Sequence, residues 1–223
     1  LPSYSWGQSL SPILFCGATP VYADIEKHSF SIDPDSIEKL ISKRTKAIIA
    51  VNLFGFTPHI TRLEVIAKKH RLKLIFDSAQ GFGAIFNNKP IGCYGDFSAF
   101  SFGRNKIMTL GEGGMLICNN RTMYEKAILI SQHPLRAHNQ INNPLLRKKI
   151  NGINLNFRMH PFTSLLGIGE LRYFAKNNVL LKAKKRLLEL VQSLHDNKIS
   201  HTLTKELNYC SPNGICLPLI ILK

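Results

Sequence analysis

The chain has 223 residues, enough for one large domain or about one and a half domains of average size. With 44% hydrophobic and 19% charged residues it is not a disordered segment, and it predicts a sizeable core. The net charge of +15 attracts phosphate groups, but no interleaved aromatic residues or recognition-helix pattern accompany it, so we expect no nucleic-acid partner. The best apolar run, residues 215–222, is interrupted by Pro218 and falls short of the roughly 20 residues of a membrane helix, so no membrane association is expected.

Cysteine usage and the chain start bear on the compartment. The five cysteines are odd in number and never form a C-x-x-C pair, which argues against a disulfide framework or a zinc site and favours a reducing cytoplasm. The first residues lack the basic start and apolar core of a secretory signal. Residues 1–4 resemble the end of a strand, so we expect the chain to begin within a fold. The apolar strand candidate at the other end of the chain leads us to expect that it also ends within a fold.

The first two thirds of the chain alternate short apolar runs with segments of helical period, which is typical of an α/β sheet with crossover helices. The first helix is predicted with Ser5 as its N-cap and Gly17 as a left-handed stop. The apolar periodicity predicts, in order, a helix over 5–16, a strand over 19–24, a helix over 35–41, a strand over 46–52, a helix over 59–70, a strand over 72–76, and extended segments over 97–102 and 114–118.

The last third has a different pattern. A helix over 122–132, an asparagine-rich loop over 137–156 and a long basic amphipathic helix over 171–195 are predicted. One apolar strand candidate without an evident partner lies within 214–223. We therefore predict an α/β fold with a mostly parallel central sheet and flanking helices, a large domain over 1–165, and a linker helix with the beginning of a small C-terminal domain over 166–223.

Several chemistry-bearing residues follow the predicted strands, where open α/β sheets bind their ligands. Asp77 comes directly after an apolar strand, and burying a carboxylate there is costly unless a cation meets it. Taken alone, Asp77 reads as a helix cap or a paired structural acid. Lys106, however, lies in a glycine-flanked loop after another extended segment. A lysine amine, an acid for a ring nitrogen, the Ser101 hydroxyl and the aromatic face of Trp6 are what pyridoxal 5′-phosphate (PLP) needs.

The local sequence strengthens this interpretation. The chain resembles the DegT/DnrJ/EryC1/StrS family of PLP-dependent sugar aminotransferases at P-S-Y-S-W (2–6), F-D-S-A-Q-G-F-G-A (76–84), G-D-F-S-A-F-S-F-G-R-N-K (95–106), G-E-G-G-M (111–115) and N-F-R-M (156–159). The resemblance implies the type I fold of PLP-dependent transferases and a homodimer whose active sites are shared between subunits. Three departures from the family pattern are visible: a Gly-Thr-Ala-like turn that binds the phosphate has no match, position 103 is glycine where many relatives have histidine or proline, and relatives continue beyond the position of Lys223.

Carried over by position, the resemblance implies two catalytic residues. Lys106 binds the cofactor aldehyde and then moves the proton between the substrate carbon and the cofactor. Asp77 pairs with the pyridinium nitrogen, so that the ring can accept electrons. The other implied cofactor contacts are Gln80 at the 3-hydroxyl, Ser101 at the phosphate, Trp6 beside the ring, and Asn156 at the phosphate of the neighbouring subunit.

The implied reaction transfers an amino group from an amino acid, with glutamate as the expected donor, to a keto-sugar that is expected to be nucleotide-linked, in the biosynthesis of deoxyamino sugars and polysaccharides. Two alternatives stay open. A sugar dehydratase of the same family commonly has histidine in place of the lysine, so Lys106 counts against it, and a non-catalytic relative would bind a ligand and regulate. Arg158 could contact an anionic substrate or form a structural ion pair. The histidines at 59, 70, 133 and 160 are expected to be structural or at the surface.

Overall fold

The computed structural model describes residues 1–27, 29–197, 201–203, 210–214 and 219–221. Its helices are α1 (Gly7–Phe15), α2 (Pro34–Ile37), α3 (Ile60–Lys69), α4 (Arg121–Ser131), α5 (Pro134–Gln140), α6 (Pro144–Arg147), α7 (Pro161–Asn177) and α8 (Val179–Asp196). Its strands are β1 (Ala47–Val51), β2 (Lys73–Asp77), β3 (Ile85–Phe86), β4 (Lys89–Pro90), β5 (Phe97–Ser101), β6 (Gly114–Ile117), β7 (His201–Leu203), β8 (Cys210–Ser211) and β9 (Leu219–Ile221). Short 3₁₀ turns occupy Glu38–Leu40, Leu53–Gly55 and Ile91–Cys93.

The central sheet has the strand order β1-β2-β5-β6. The first three strands are parallel and β6 runs antiparallel to β5, so the predicted α/β fold with a mostly parallel sheet is confirmed. The register places Asp77 of β2 between Val51 of β1 and Ala99 of β5. The short β3 pairs with β4 and β8, and β7 pairs with β9.

The two faces of the central sheet differ in burial because successive side chains of a strand point to opposite faces. On one face, Ile48, Ala50, Leu74 and Phe76 are at most 4% exposed. They belong to a core that includes Leu63 and Ile66 of α3. The other face carries Ile49, Ile75 and Asp77, which are only partly buried. A polar site can therefore form on this second face at the carboxyl end of β2.

The N-terminal part departs from prediction in two places. Trp6, not Ser5, is the N-cap residue of α1, and the Ser5 hydroxyl instead donates to the Ser9 hydroxyl at 2.8 Å. Gly17 has a φ of +66°, as predicted for a left-handed stop. The segment 19–24 is not a strand: a single parallel bridge joins Pro2 to Ala23. Its apolar residues satisfied the pattern for a strand, but the pattern does not say whether a neighbouring strand is present to pair with.

The later helices also differ from the predicted ones. The predicted helix over 35–41 is α2 followed by a 3₁₀ turn, with the Asp33 carboxylate accepting from the Asp35 amide at 2.9 Å. The predicted helix over 171–195 is two helices, α7 and α8, separated at Asn178, whose φ of +51° is left-handed. Asparagine tolerates this conformation better than most residues, which is why the chain can break there without glycine. The loop predicted over 137–156 contains the end of α5 and all of α6.

The remaining expectations for the C-terminal part are only partly covered. The strand candidate within 214–223 contains β9, which has a partner in β7, while residues 215–218 and 222–223 lie outside the described residues. The division of the chain at residue 165 stays a prediction. Among the residues described, no helix is both long and apolar enough to cross a membrane.

Candidate active site

Asp77 is held at the carboxyl end of β2 by donors to both of its oxygens. The Ser9 hydroxyl of α1 donates to Oδ2 at 2.5 Å, and the Ala79 amide donates to Oδ1 at 3.1 Å. Ser9 is only 5% exposed, and its own oxygen accepts from the Ser5 hydroxyl. Each carboxylate oxygen can accept more than one hydrogen bond, so Asp77 retains acceptor capacity for a further cationic N–H.

Ser101 and Lys106 come from the neighbouring strand and the loop that follows it. Asp77 lies beside Ala99, so Ser101, two residues further along β5, projects from the same face of the sheet. The Ser101 hydroxyl accepts from the Gly103 amide at 3.3 Å. The loop is closed by a hydrogen bond from the Phe102 amide to the Gly113 carbonyl at 2.8 Å, and the Lys106 amide donates to the Gly103 carbonyl at 3.0 Å. Lys106 is partly buried in this loop.

Gln80 is oriented by a backbone contact from the turn after β1. The Phe54 amide donates to Gln80 Oε1 at 2.6 Å. The Gln80 amide nitrogen, which is the donor end of the side chain, therefore points away from the Phe54 amide. This is the end that could meet an anionic oxygen such as the 3-hydroxyl of PLP.

Asn213 fixes the turn that carries Gln80. It is 2% exposed, and its Nδ2 donates to the carbonyl oxygens of Gln80 at 2.7 Å and Phe82 at 2.9 Å. Gly55 lies against Asn213 with a φ of +81°, and a Cβ at Gly55 would lie 1.9 Å from Asn213 Oδ1. A residue far along the sequence therefore anchors the turn of the candidate site.

Trp6 and Asn156 are the outer members of the predicted set. Trp6 is 72% exposed, and its carbonyl accepts from the Ser9 amide at 2.9 Å, which places it one helical turn from the residue that contacts Asp77. Asn156 is exposed with a left-handed φ of +51°. Across the described residues, no hydrogen bond joins Asn156 to the other five positions. Its role toward a neighbouring subunit stays a prediction.

Two contributors were missed by the sequence reasoning. Ser9 could have been found from its position four residues after Ser5 on a predicted helix, since such residues share a helix face. For Asn213 no local signal exists, because its partners lie 131 and 133 residues away.

The histidines and cysteines outside the site also differ in what they do. His133 and His160 cap α5 and α7 through Nδ1, a structural role as expected. Cys16 and Cys93 are exposed, and Cys118 is partly buried. Within the part of the chain that is described, no three histidine, cysteine or acidic side chains gather as a metal site would require.

A separate cavity of about 480 Å³ lies between α1, the 19–24 segment and β1. Most of its lining is apolar, with Ile13, Val21, Ile48 and Ile49 among the lining residues. None of the six predicted site residues lines it. Four of these residues, Asp77, Gln80, Ser101 and Lys106, lie instead at or just after the carboxyl ends of β2 and β5.

Comparison with known proteins finds similarity to this chain both in sequence and in structure. A GDP-perosamine synthase from Vibrio cholerae is 32% identical over 193 residues, which is 86% of this chain and 50% of the relative. The solved structure of PseC from Helicobacter pylori, an aminotransferase of pseudaminic acid biosynthesis, superposes with a TM-score of 0.81 at 27% identity and covers 98% of this chain and 57% of PseC. NtdA from Bacillus subtilis, solved with the cofactor PMP bound, gives a TM-score of 0.80 at 26% identity and covers 100% of this chain and 48% of NtdA.

This chain thus spans about half the length of the relatives that it matches. The DegT/DnrJ/EryC1/StrS aminotransferase family profile matches residues 1–213, nearly the whole of it. With the α/β sheet and the polar residues at its strand ends, this match shows that the chain belongs to the DegT/DnrJ/EryC1/StrS aminotransferase family.

Proposed function

We propose that this chain provides the cofactor-binding part of a PLP-dependent aminotransferase that moves an amino group from an amino acid, glutamate, to a nucleotide-linked keto-sugar. In the reaction the amino acid becomes a keto acid and the sugar carbonyl becomes a carbon bearing an amine, as in the making of deoxyamino sugars for polysaccharides. Family membership and the V. cholerae relative support the reaction class. The observation that carries the proposal is that Asp77 and Ser101 lie on the same face of two adjacent strands. The loop that contains Lys106 follows directly after Ser101.

The residues present fit PLP. Asp77 would hold the pyridinium N–H, since both its oxygens are fixed by donors and still accept. The Gln80 amide nitrogen would donate to the 3-hydroxyl oxygen, because the Phe54 amide already occupies its carbonyl end. Ser101 would donate to the phosphate, and the exposed indole of Trp6 would lie beside the ring. When bound, PLP supplies a reactive aldehyde and an electron-withdrawing ring.

The chain's own residues would then carry the proton chemistry. Lys106 would hold the cofactor aldehyde through its amine, and the same amine, when free, would take the proton from the substrate carbon and pass it to the cofactor. Asp77 would keep the ring nitrogen protonated throughout. The hydrogen bond from the Lys106 amide to the Gly103 carbonyl holds the backbone of Lys106 in this loop, which restricts the positions open to its amine and favours both roles.

Covalent attachment is the direct test of this role. Borohydride reduction of the PLP-loaded native-length protein should add one pyridoxyl group, located on Lys106 by peptide mass spectrometry. Lys106→Ala should lose both the attachment and amine transfer from glutamate to a GDP-linked keto-sugar. Lys126→Ala is the matched control, since Lys126 is exposed on α4. A pyridoxyl group on another lysine would refute the assignment.

Two alternatives are separated by the same protein. A sugar dehydratase of this family would release water from the keto-sugar and would not transfer nitrogen, so product mass distinguishes it from an aminotransferase. A non-catalytic, ligand-binding relative would turn over neither reaction. We favour the aminotransferase because Lys106 is present where dehydratases of the family commonly have histidine.

The proposed assembly is a homodimer in which Asn156 reaches the phosphate of the neighbouring subunit. The segment around Asn156 exposes large apolar side chains: Ile153 is 88% exposed, Phe157 66% and Phe162 74%. Exposed apolar patches of this kind mark interaction sites.

Mixing two inactive variants tests the shared site. In an equal mixture of Lys106→Ala and Asn156→Ala, about half of the dimers are hybrids, and one of the two sites of each hybrid receives both intact residues. The mixture should therefore regain about a quarter of wild-type activity. No recovery would place Asn156 in its own subunit's site.

We also propose a cytoplasmic location, supported by the free cysteines Cys16, Cys93 and Cys118.

A further inference from the structure

Ser9 makes a contact that the proposed reaction has not used. It lies in the first turn of α1, is 5% exposed, and reaches across 68 residues of sequence to Asp77 Oδ2 at 2.5 Å. The Ser5 hydroxyl donates to Ser9 at 2.8 Å. The three side chains form one directed chain, Ser5 to Ser9 to Asp77.

The direction of this chain matters. Because Ser5 donates to the Ser9 oxygen, the Ser9 hydroxyl hydrogen is directed to Asp77, and successive hydrogen bonds of one sense strengthen each other. The Ala79 amide holds the second oxygen at 3.1 Å. Donors on both oxygens fix the plane of the carboxylate as well as its position.

We propose that Ser9 is a positioning residue, which sets the Asp77 carboxylate in the orientation that pairs with the protonated ring nitrogen of PLP. This inference rests on the proposed function, in which Asp77 meets that nitrogen. A hydrogen bond to a pyridinium N–H needs a carboxylate oxygen at a defined point in the ring plane, and a displacement of about 1 Å at such a contact can cost about a hundredfold in rate. Ser9 prevents that displacement, while Asp77 itself makes the contact.

The experiment compares Ser9→Ala, Ser9→Thr and the control Ser11→Ala in native-length protein loaded with PLP. Ser11 lies on the same helix, and its hydroxyl donates to the Gly7 carbonyl at 3.2 Å. The first readout is the ¹⁵N chemical shift of labelled PLP, which reports whether the ring nitrogen is protonated across a pH series. The second is kcat for amine transfer.

We expect Ser9→Ala to move the ¹⁵N titration of the ring nitrogen to lower pH and to reduce kcat about tenfold to a hundredfold, the range for losing a hydrogen bond to a charged group. Ser9→Thr keeps the hydroxyl and should retain both readouts near the wild type, as should Ser11→Ala. Ser5→Ala, which leaves Ser9 in place, should move the titration in the same direction by a smaller amount. It provides the test if Ser9→Ala does not fold.

The outcomes separate this inference from the proposed function. If Asp77→Asn moves the ¹⁵N titration of the ring nitrogen to lower pH and neither Ser9→Ala nor Ser5→Ala does so, the positioning role is overturned and the cofactor site stands. If Asp77→Asn leaves the titration unchanged, Asp77 does not meet the ring nitrogen, and both fail. Equal effects of Ser9→Ala and Ser11→Ala would indicate general damage to α1 and would also overturn the positioning role.

Discussion

The contact between Gly55 and Asn213 gives a quantitative prediction that connects stability to the candidate site. Gly55 has a φ of +81°, and a Cβ there would lie 1.9 Å from Asn213 Oδ1 and 2.6 Å from its Cγ. Gly55→Ala would force the buried Asn213 side chain away from the carbonyl oxygens of Gln80 and Phe82. The substitution therefore acts on the turn that carries Gln80.

The expected loss of stability has two parts. A left-handed backbone costs an L-residue about 1–2 kcal/mol. Losing two hydrogen bonds costs about 1 kcal/mol each. Gly55→Ala should therefore lower the free energy of unfolding by about 3–4 kcal/mol.

A double-mutant cycle tests the mechanism. Asn213→Ala alone should cost about 2 kcal/mol for the same two hydrogen bonds. Because these bonds can be lost only once, the double variant should cost about 3–4 kcal/mol, some 2 kcal/mol less than the sum of the single variants. Urea unfolding of native-length protein measures all four corners, and PLP titration should show weaker binding wherever Asn213 is displaced.

Additive effects, within about 0.5 kcal/mol, would refute the reasoning. They would mean that Gly55 and Asn213 act independently and that the C-terminal anchor does not hold the turn of Gln80. Gly152→Ala is a suitable control, because no atom other than those of Gly152 and its two chain neighbours lies within 4 Å of the position that its Cβ would take.

Three further predictions concern stability. Phe76→Ala should lower the free energy of unfolding by about 3–5 kcal/mol, because Phe76 is fully buried, and a urea midpoint unchanged from the wild type would contradict its place in the core. Asn120→Ala should cost about 1 kcal/mol in the same assay, since its side chain caps α4 at the Met123 amide. Hydrogen bonds from the Asn142 amide and from Arg121 hold the pKa of Glu125 below its ordinary value, so its contribution is present above about pH 4.3 and is lost as the pH falls through the lowered pKa. Glu125→Gln should therefore lower Tm at neutral pH and converge with the wild type in acid, and a constant difference in Tm across that range would contradict the pairing.

Local sequence was sufficient for features set by short-range chemistry. The apolar runs at 46–52 and 72–76 predicted buried strands, and β1 and β2 are found there, because side chains on one face of each strand pack in the core. The same reading failed at 19–24, which is apolar but makes one isolated bridge. The apolar periodicity also predicted one helix over 171–195 where α7 and α8 are separate helices. The left-handed backbone of Asn178 does not change the spacing of the apolar residues, so the periodicity could not show the break.

In the candidate site, too, the sequence indicated the residues, whereas tertiary contacts set their orientation. Residue types and local motifs indicated Asp77, Gln80, Ser101 and Lys106, since each follows a strand whose carboxyl end opens on the ligand side of an α/β sheet. Their orientation came from elsewhere: Ser9 fixes Asp77, Phe54 turns Gln80, and Asn213 anchors the turn between them. Those contacts span 26 to 133 residues of sequence. Chemistry can be recognised in a short motif, whereas the direction of a side chain depends on neighbours that only folding brings into contact.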